Sequence, residues 1–143
     1  YFIMASGVGV SDECVTLFAE LKKKQHRYLI MKVSDDNTEI VIEHTGARDE
    51  SYTDFTSKLP KESGRYGIFD YDYKMDDGSS RDKIVFVLWA PDDAPIKAKM
   101  LYTSSKADFK KSLGEGIGCE VQGTDASEID EQEVLEKVLK LSR

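Results

Sequence analysis

The chain has 143 residues, 40% hydrophobic and 33% charged, with a formal net charge of −7. That length fits one α/β domain over residues 1–143, able to bury roughly 70% of its unfolded surface, and the composition is that of a soluble globular protein. The acidic balance excludes a general nucleic-acid binder, no apolar run approaches the ~20 residues that span a bilayer, and two isolated thiols, Cys14 and Cys119, fit a reducing cytoplasm.

Residues 1–10 are small and flexible in character, with Gly7 and Gly9, and lack the basic n-region of a secretory signal. Tyr1-Phe2-Ile3 precede Met4, which is expected to be the native start, the three being an artificial extension. Ser11 is placed to cap a helix whose first turn holds Asp12 and Glu13. Cys14, Leu17, Phe18 and Leu21 form its apolar stripe, and Lys22-Lys23-Lys24 suit its C-terminal end as a solvated cap. Arg27–Val33 and Glu39–His44 read as a hairpin turning at Ser34-Asp35-Asp36-Asn37. Ser51 and Asp54 cap a short helix with Tyr52, Phe55 and Leu59 on its inner side, stopped by Pro60.

Two strands follow, Arg65–Tyr73 and Lys83–Trp89, the second apolar enough to be central and covered on both faces. A long helix runs from the Pro-bracketed turn to Gly114, and a strand lies around Cys119–Gln122. The last helix is capped by Asp130, with Val134, Leu135, Val138 and Leu141 inward and Glu133, Glu136, Lys137 and Lys140 outward. The architecture expected is a mixed sheet with helices on both faces.

No nucleotide-binding, metal-protease or serine-hydrolase signature is present. Of the two histidines, His26 has a surface position and His44 is half-buried beside Glu43; the acidic pairs Asp76-Asp77 and Asp92-Asp93 belong to turns and lack the spacing of a calcium loop. A thiol-dependent activity at Cys14 or Cys119 is one alternative, opposed by the position of Cys14 on an apolar stripe. Neither a metal nor a cofactor is expected.

The long helix is the informative element. At ~100° per residue, Ala98, Leu101, Tyr102, Ser105, Phe109 and Leu113 share one side, as a core stripe should. The opposite side carries Ile96, Met100, Thr103, Ala107 and Lys111, edged by Lys99, Ser104 and Lys110. Apolar residues on both sides point to a core on one and a partner on the other. The segment 81–111 is basic, seven cations against four carboxylates, so the partner expected is acidic.

The pattern WAPDDAPIKAKMLYTSSK (residues 89–106) resembles the actin-depolymerising factor/cofilin family. MASGVGVSDECV resembles the family's N-terminus, RYGIFDYDY its central strand and DFKKSLGEGIGCEVQGTDASEID its C-terminal third, with the flavour of the compact members of amoebae, protists and plants. The resemblance implies a single domain that binds actin monomers through Ser6, Gly7, Lys97, Lys99, Met100, Ser104 and Ser105, the wheel placing Ser105 inward. It implies a second, filament-binding set of Arg81, Lys83, Glu136, Lys137 and Lys140, where the family often has arginine at the last two positions.

Filament severing, a preference for ADP-actin, and inhibition by phosphorylation at Ser6 are implied as well. Phosphoinositide headgroups are implied ligands of Lys97, Lys99, Lys110 and Lys111. The protein is expected to be a monomeric non-enzyme of the cytoplasmic actin cytoskeleton, with the nucleus as a further location. A coactosin-like filament side-binder without severing is the alternative within the fold.

Overall fold

Successive side chains of a strand point to opposite faces, and the two longest strands of this chain carry apolar residues on both. The computed structural model describes residues 2–143. Tyr66, Ile68, Phe86 and Leu88 enter one core cluster, while Phe69, Tyr71, Tyr73, Val85, Val87 and Trp89 enter a second on the other side. The strands are β1 (Phe2–Ile3), β2 (Gly9–Val10), β3 (Tyr28–Val33), β4 (Glu39–Gly46), β5 (Arg65–Lys74), β6 (Ser80–Trp89) and β7 (Ile117–Gly123). They form one mixed sheet ordered β1-β2-β4-β3-β5-β6-β7. The β2–β4 and β6–β7 pairs are parallel and the others antiparallel.

Among the described residues four helices complete the fold: α1 (Asp12–Lys22), α2 (Tyr52–Ser57), α3 (Ile96–Leu113) and α4 (Glu131–Ser142), with a 3-10 turn at Ala126–Ile129. Helices α1 and α3 cover the first face with Phe18, Leu21, Tyr102, Phe109 and Leu113. The second face is covered by Tyr52 and Phe55 of α2, Ile129 of the turn, and Val134 and Val138 of α4. The α/β class and two-sided covering match the expectation. Among the described residues no helix is long and apolar enough to cross a membrane.

Several details differ from the sequence expectation, each for a physical reason. β6 is second from the sheet edge; its unbroken apolar run reflects coverage of both faces rather than a central position. Ser11 stands at the α1 N-cap without a side-chain capping bond, its hydroxyl donating instead to Cys14 Sγ. Leu141 is 53% exposed, and Leu139 packs against the core in its place. Leu141 lies within about 20° of Val134 on the helix wheel, but it stands in the last turn of α4, next to the end of the helix at Ser142.

Lys24 is not a solvated cap. Its backbone adopts a left-handed φ of 68°, and its ammonium lies 2.7 Å from Asp70 and 2.5 Å from Asp82. Asp70 is buried in the sheet, and Arg48 reaches it at 2.8 Å while donating to the His26 carbonyl. Arg27 donates to the Asp70 carbonyl and to Asp72. Lys24 of the α1–β3 connection and Arg48 of the β4–α2 loop thus neutralise a carboxylate that the strand has carried into the interior, where an unpaired charge is untenable.

Gly67 is required by close approach. A Cβ there would lie 2.4 Å from the ring of Phe55, which is fully buried between Tyr28, Tyr52 and Phe69. Gly67→Ala should therefore cost about 1–3 kcal/mol through overpacking, read as a lower urea midpoint; an unchanged midpoint would show that Phe55 yields without strain. A second expectation concerns acid stability. Arg65 grips Glu43 through two hydrogen bonds of 2.9 and 3.0 Å and holds its carboxyl below the usual carboxylate range. That contribution is complete above the ordinary Glu value of about 4.3 and is lost as pH falls through the lower folded value. Glu43→Gln should flatten this part of the acid limb in thermal unfolding followed from about pH 6 to 3, and an unaltered limb would contradict it.

Candidate functional site

Helix α3 begins after a turn tied to β7 by backbone hydrogen bonds from Ala90 to Gly123 and from Asp92 to Thr124. Pro95 stands at its N-cap, no side chain caps it, and its first turn has no acidic residue. Lys97 and Lys99 sit there instead, against the positive end of the helix dipole. This opposes helix stability and concentrates positive potential at one end. Lys99 donates to the Asp92 carbonyl at 3.3 Å, while Lys97 is exposed.

The wheel's two faces are real. Tyr102, Ser105, Phe109 and Leu113 are buried, while Ile96 and Met100, one helical turn apart, are 71% and 65% exposed. Thr103, Ser104 and Ala107 continue the exposed side. Ser105 is 2% exposed, on the inner side where the wheel places it, although the family resemblance implied a contact there. Ser104 is exposed, with its hydroxyl turned back to the Leu101 carbonyl.

The N-terminal segment is ordered against this helix, contrary to its flexible appearance. Met4 is 3% exposed, and with Val8 and Val10 it joins the α1–α3 core. Its backbone amide donates to Val8 and its carbonyl accepts from Gly7, closing a turn in which Gly7 has a φ of 86°. The Ala5 amide donates to Asp108 of α3 at 3.2 Å. Ser6 and Gly7 therefore stand exposed at the tip of a turn fastened beside the outer face of α3.

The second set gathers on the opposite side of the sheet. Arg81 and Lys83 share strand parity with Val85 and Val87, which face α4. Lys137 of α4 donates to the Glu120 carbonyl of β7, and the stem of Lys83 packs by Gly118 of the same strand. Glu136 accepts from Gln132 at 3.1 Å, and Lys140 is exposed. Arg81 lies at the far end of β6 from the α3 N-terminus, roughly 25 Å along the strand. What read as one basic stretch is split between two faces.

Two further expectations change. Glu120 binds Lys106 at 2.5 Å and also Lys110, whose ammonium lies over the Phe86 ring. Burial pushes the Glu120 carboxyl up, but these two lysines outweigh it and hold it below the usual range. Lys110 is thus already paired, and Lys97 and Lys99 lie roughly 20 Å from Lys110 and Lys111 along the helix, so the four do not converge on one headgroup. Thiol chemistry has no support either: both cysteines are buried, and desolvation pushes the Cys14 thiol up to about 11. His26 is held by Glu20 at 2.8 Å, and His44 is half-buried beside Glu43, as expected.

The sequence reading missed the Glu120 clamp, the Asp108 anchor of the tail and the buried Asp70. Of these only the last left a local trace, a carboxylate in the apolar run of β5.

A family model described as cofilin/tropomyosin-type actin-binding protein matches residues 7–139. Actophorin of Acanthamoeba castellanii is 54% identical over 136 residues, 94% of this chain and 97% of that protein. Actin-depolymerizing factor 11 of Oryza sativa subsp. japonica is 45% identical over 127 residues, 88% of this chain and 87% of that protein. Among solved structures, Streptomyces griseoflavus cofilin aligns with a TM-score of 0.86 at 38% identity, over 94% of this chain and 98% of that one. An apolar helix face between lysines, a tail fastened beside it and a match spanning nearly the whole chain lead to one conclusion: this chain belongs to the cofilin/tropomyosin-type family of actin-binding proteins, which are not enzymes.

Proposed function

We propose that this protein binds monomeric and filamentous actin, prefers ADP-bound subunits, and promotes filament severing and subunit loss. The observation that carries the reading is the exposed pair Ile96 and Met100, bracketed by Lys97 and Lys99, on a helix to which the Ser6–Gly7 turn is fastened at Asp108. Methionine adapts to an irregular cleft, and cations at its rim steer toward an acidic partner while adding under about 1 kcal/mol each. Arg81, Lys83, Glu136, Lys137 and Lys140 form the surface for the neighbouring filament subunit.

The action is differential binding. Engaging two adjacent subunits favours an altered filament twist, and a ligand shifts such an equilibrium only by its difference in affinity for the two states. A phosphate on Ser6 would bring about −1.5 to −2 charges to a tip facing an acidic partner, which gives inhibition. An anionic membrane carrying phosphoinositides would span both lysine pairs of α3 and compete for the same face. The place of action is the cytoplasmic actin cytoskeleton.

Cosedimentation with filaments and binding to labelled monomers test the reading, and an absence of both would sink it. Lys97→Ala with Lys99→Ala should weaken monomer and filament binding alike. Met100→Ala should weaken monomer binding about tenfold, as for a central interface side chain. Arg81→Ala with Lys83→Ala should reduce filament binding and spare monomers, and equal losses would contradict two separate surfaces.

A further inference from the structure

On the sheet face covered by α2 and α4, a groove of about 740 Å³ opens between α2, the 3-10 turn and the loops that follow β6 and β7. That volume lies within the range of ligand-binding clefts. Its floor is ring and hydrocarbon, from Tyr52, Leu59, Trp89, Pro91 and Ile129. The polar groups of that floor are already satisfied: the Trp89 indole donates to the Pro60 carbonyl at 2.7 Å, and the Tyr52 hydroxyl donates to the Ile129 carbonyl at 2.6 Å. What remains for an occupant is apolar surface.

The rim is acidic. Asp92, Asp93, Asp125, Asp130 and Glu131 surround the opening, against the single cation of Lys61. Asp125 and Asp130 accept backbone amides at the starts of the 3-10 turn and α4, and Glu131 accepts from the Tyr71 hydroxyl. None of these bonds comes from a cationic side chain, so the carboxylates keep their negative charge at the rim, eased at Asp125 and Asp130 by the helix ends they cap. The carboxylates of Asp92 and Asp93 stand exposed in the turn before α3.

We infer that this groove docks a basic segment of another protein, seating one bulky apolar side chain against Trp89 with arginine or lysine on either side. Charge complementarity selects that occupant. An acidic partner suited to the lysines of α3 would meet the rim with like charge. A second copy of this chain, which offers a matching local pattern at Ile96 and Met100 between Lys97 and Lys99, is opposed on approach by its net charge of −7. The molecule therefore carries surfaces of opposite sign for partners of opposite sign.

Trp89 is the only tryptophan, so its indole N–H gives one resonance in a ¹⁵N-labelled sample of the full chain. The probe is a blocked hexapeptide with central leucine and phenylalanine between arginine pairs. Saturable shifts of the Trp89 indole and of the Thr56 and Thr124 amides are expected. Asp92→Asn with Asp93→Asn should weaken the affinity about five- to tenfold, the loss due to two rim charges. A peptide with serines at the centre, and one with glutamates at the flanks, should leave these resonances in place. No saturable shift, an equal response to either control peptide, or an unchanged affinity in the double variant would overturn the assignment. Indole shifts that follow the concentration of the free chain without peptide would identify a second copy as the occupant and overturn it as well. No actin is present in this test, so its outcome is independent of the actin-binding reading.

Discussion

Tyr66 lies under helix α3 and determines which way that helix faces. Its ring packs against Tyr102 and Phe109, with centroids 5.0 and 4.8 Å away, and its hydroxyl donates to the Tyr102 carbonyl at 2.6 Å. Tyr102 in turn accepts the Val33 amide at 2.8 Å from the end of β3. Both rings are buried, so these bonds form where water offers no substitute. Together they fix the rotation of α3 about its axis. With Tyr102 inward, Met100 and Ile96 must point outward, and the side of the helix proposed to meet actin follows from packing on its reverse.

The same helix departs from the favourable charge pattern at one end only. Its last turn holds Lys110 and Lys111, where cations complement the dipole, and Lys110 is also bound by Glu120. Its first turn reverses the rule with Lys97 and Lys99 and no carboxylate. Violations of local preference concentrate where a protein meets its partners, and here they coincide with the exposed methionine. Glu120 meanwhile links Lys106 and Lys110 of α3 on one side of β7 with Lys137 of α4 on the other, so the strand holds both faces in fixed relation.

Much of this was legible because it depends on period. The 3.6-residue repeat put Ser105 inside α3 against the expectation from family likeness, and burial agrees with the repeat. The two-sided covering of β6 was likewise readable from its unbroken apolar run. What escaped depends on partners remote in sequence. β1 and β2 are two residues each, too short to carry a pattern, and β2 exists by pairing with β4. The tail anchor joins Ala5 to Asp108, and the Lys24 pairing joins the α1–β3 connection to strands β5 and β6. Lys22-Lys23-Lys24 looked like a solvated helix end because nothing local distinguishes a lysine that reaches a buried carboxylate from one that does not. The groove, too, is assembled from segments of three separate regions.

The turn from Met4 to Val8 has a thermodynamic consequence. Fixing one residue's backbone costs about 1–2 kcal/mol in conformational entropy, and a loose N-terminal arm would incur that cost at the moment of docking. Here the burial of Met4, the amide of Ala5 and the left-handed Gly7 have already fixed the arm during folding. Ser6 and Gly7 are thereby presented in a preset shape, so the association proposed for them carries a smaller ordering penalty. The hydrophobic anchor of a single methionine thus transfers an entropic cost from binding to folding.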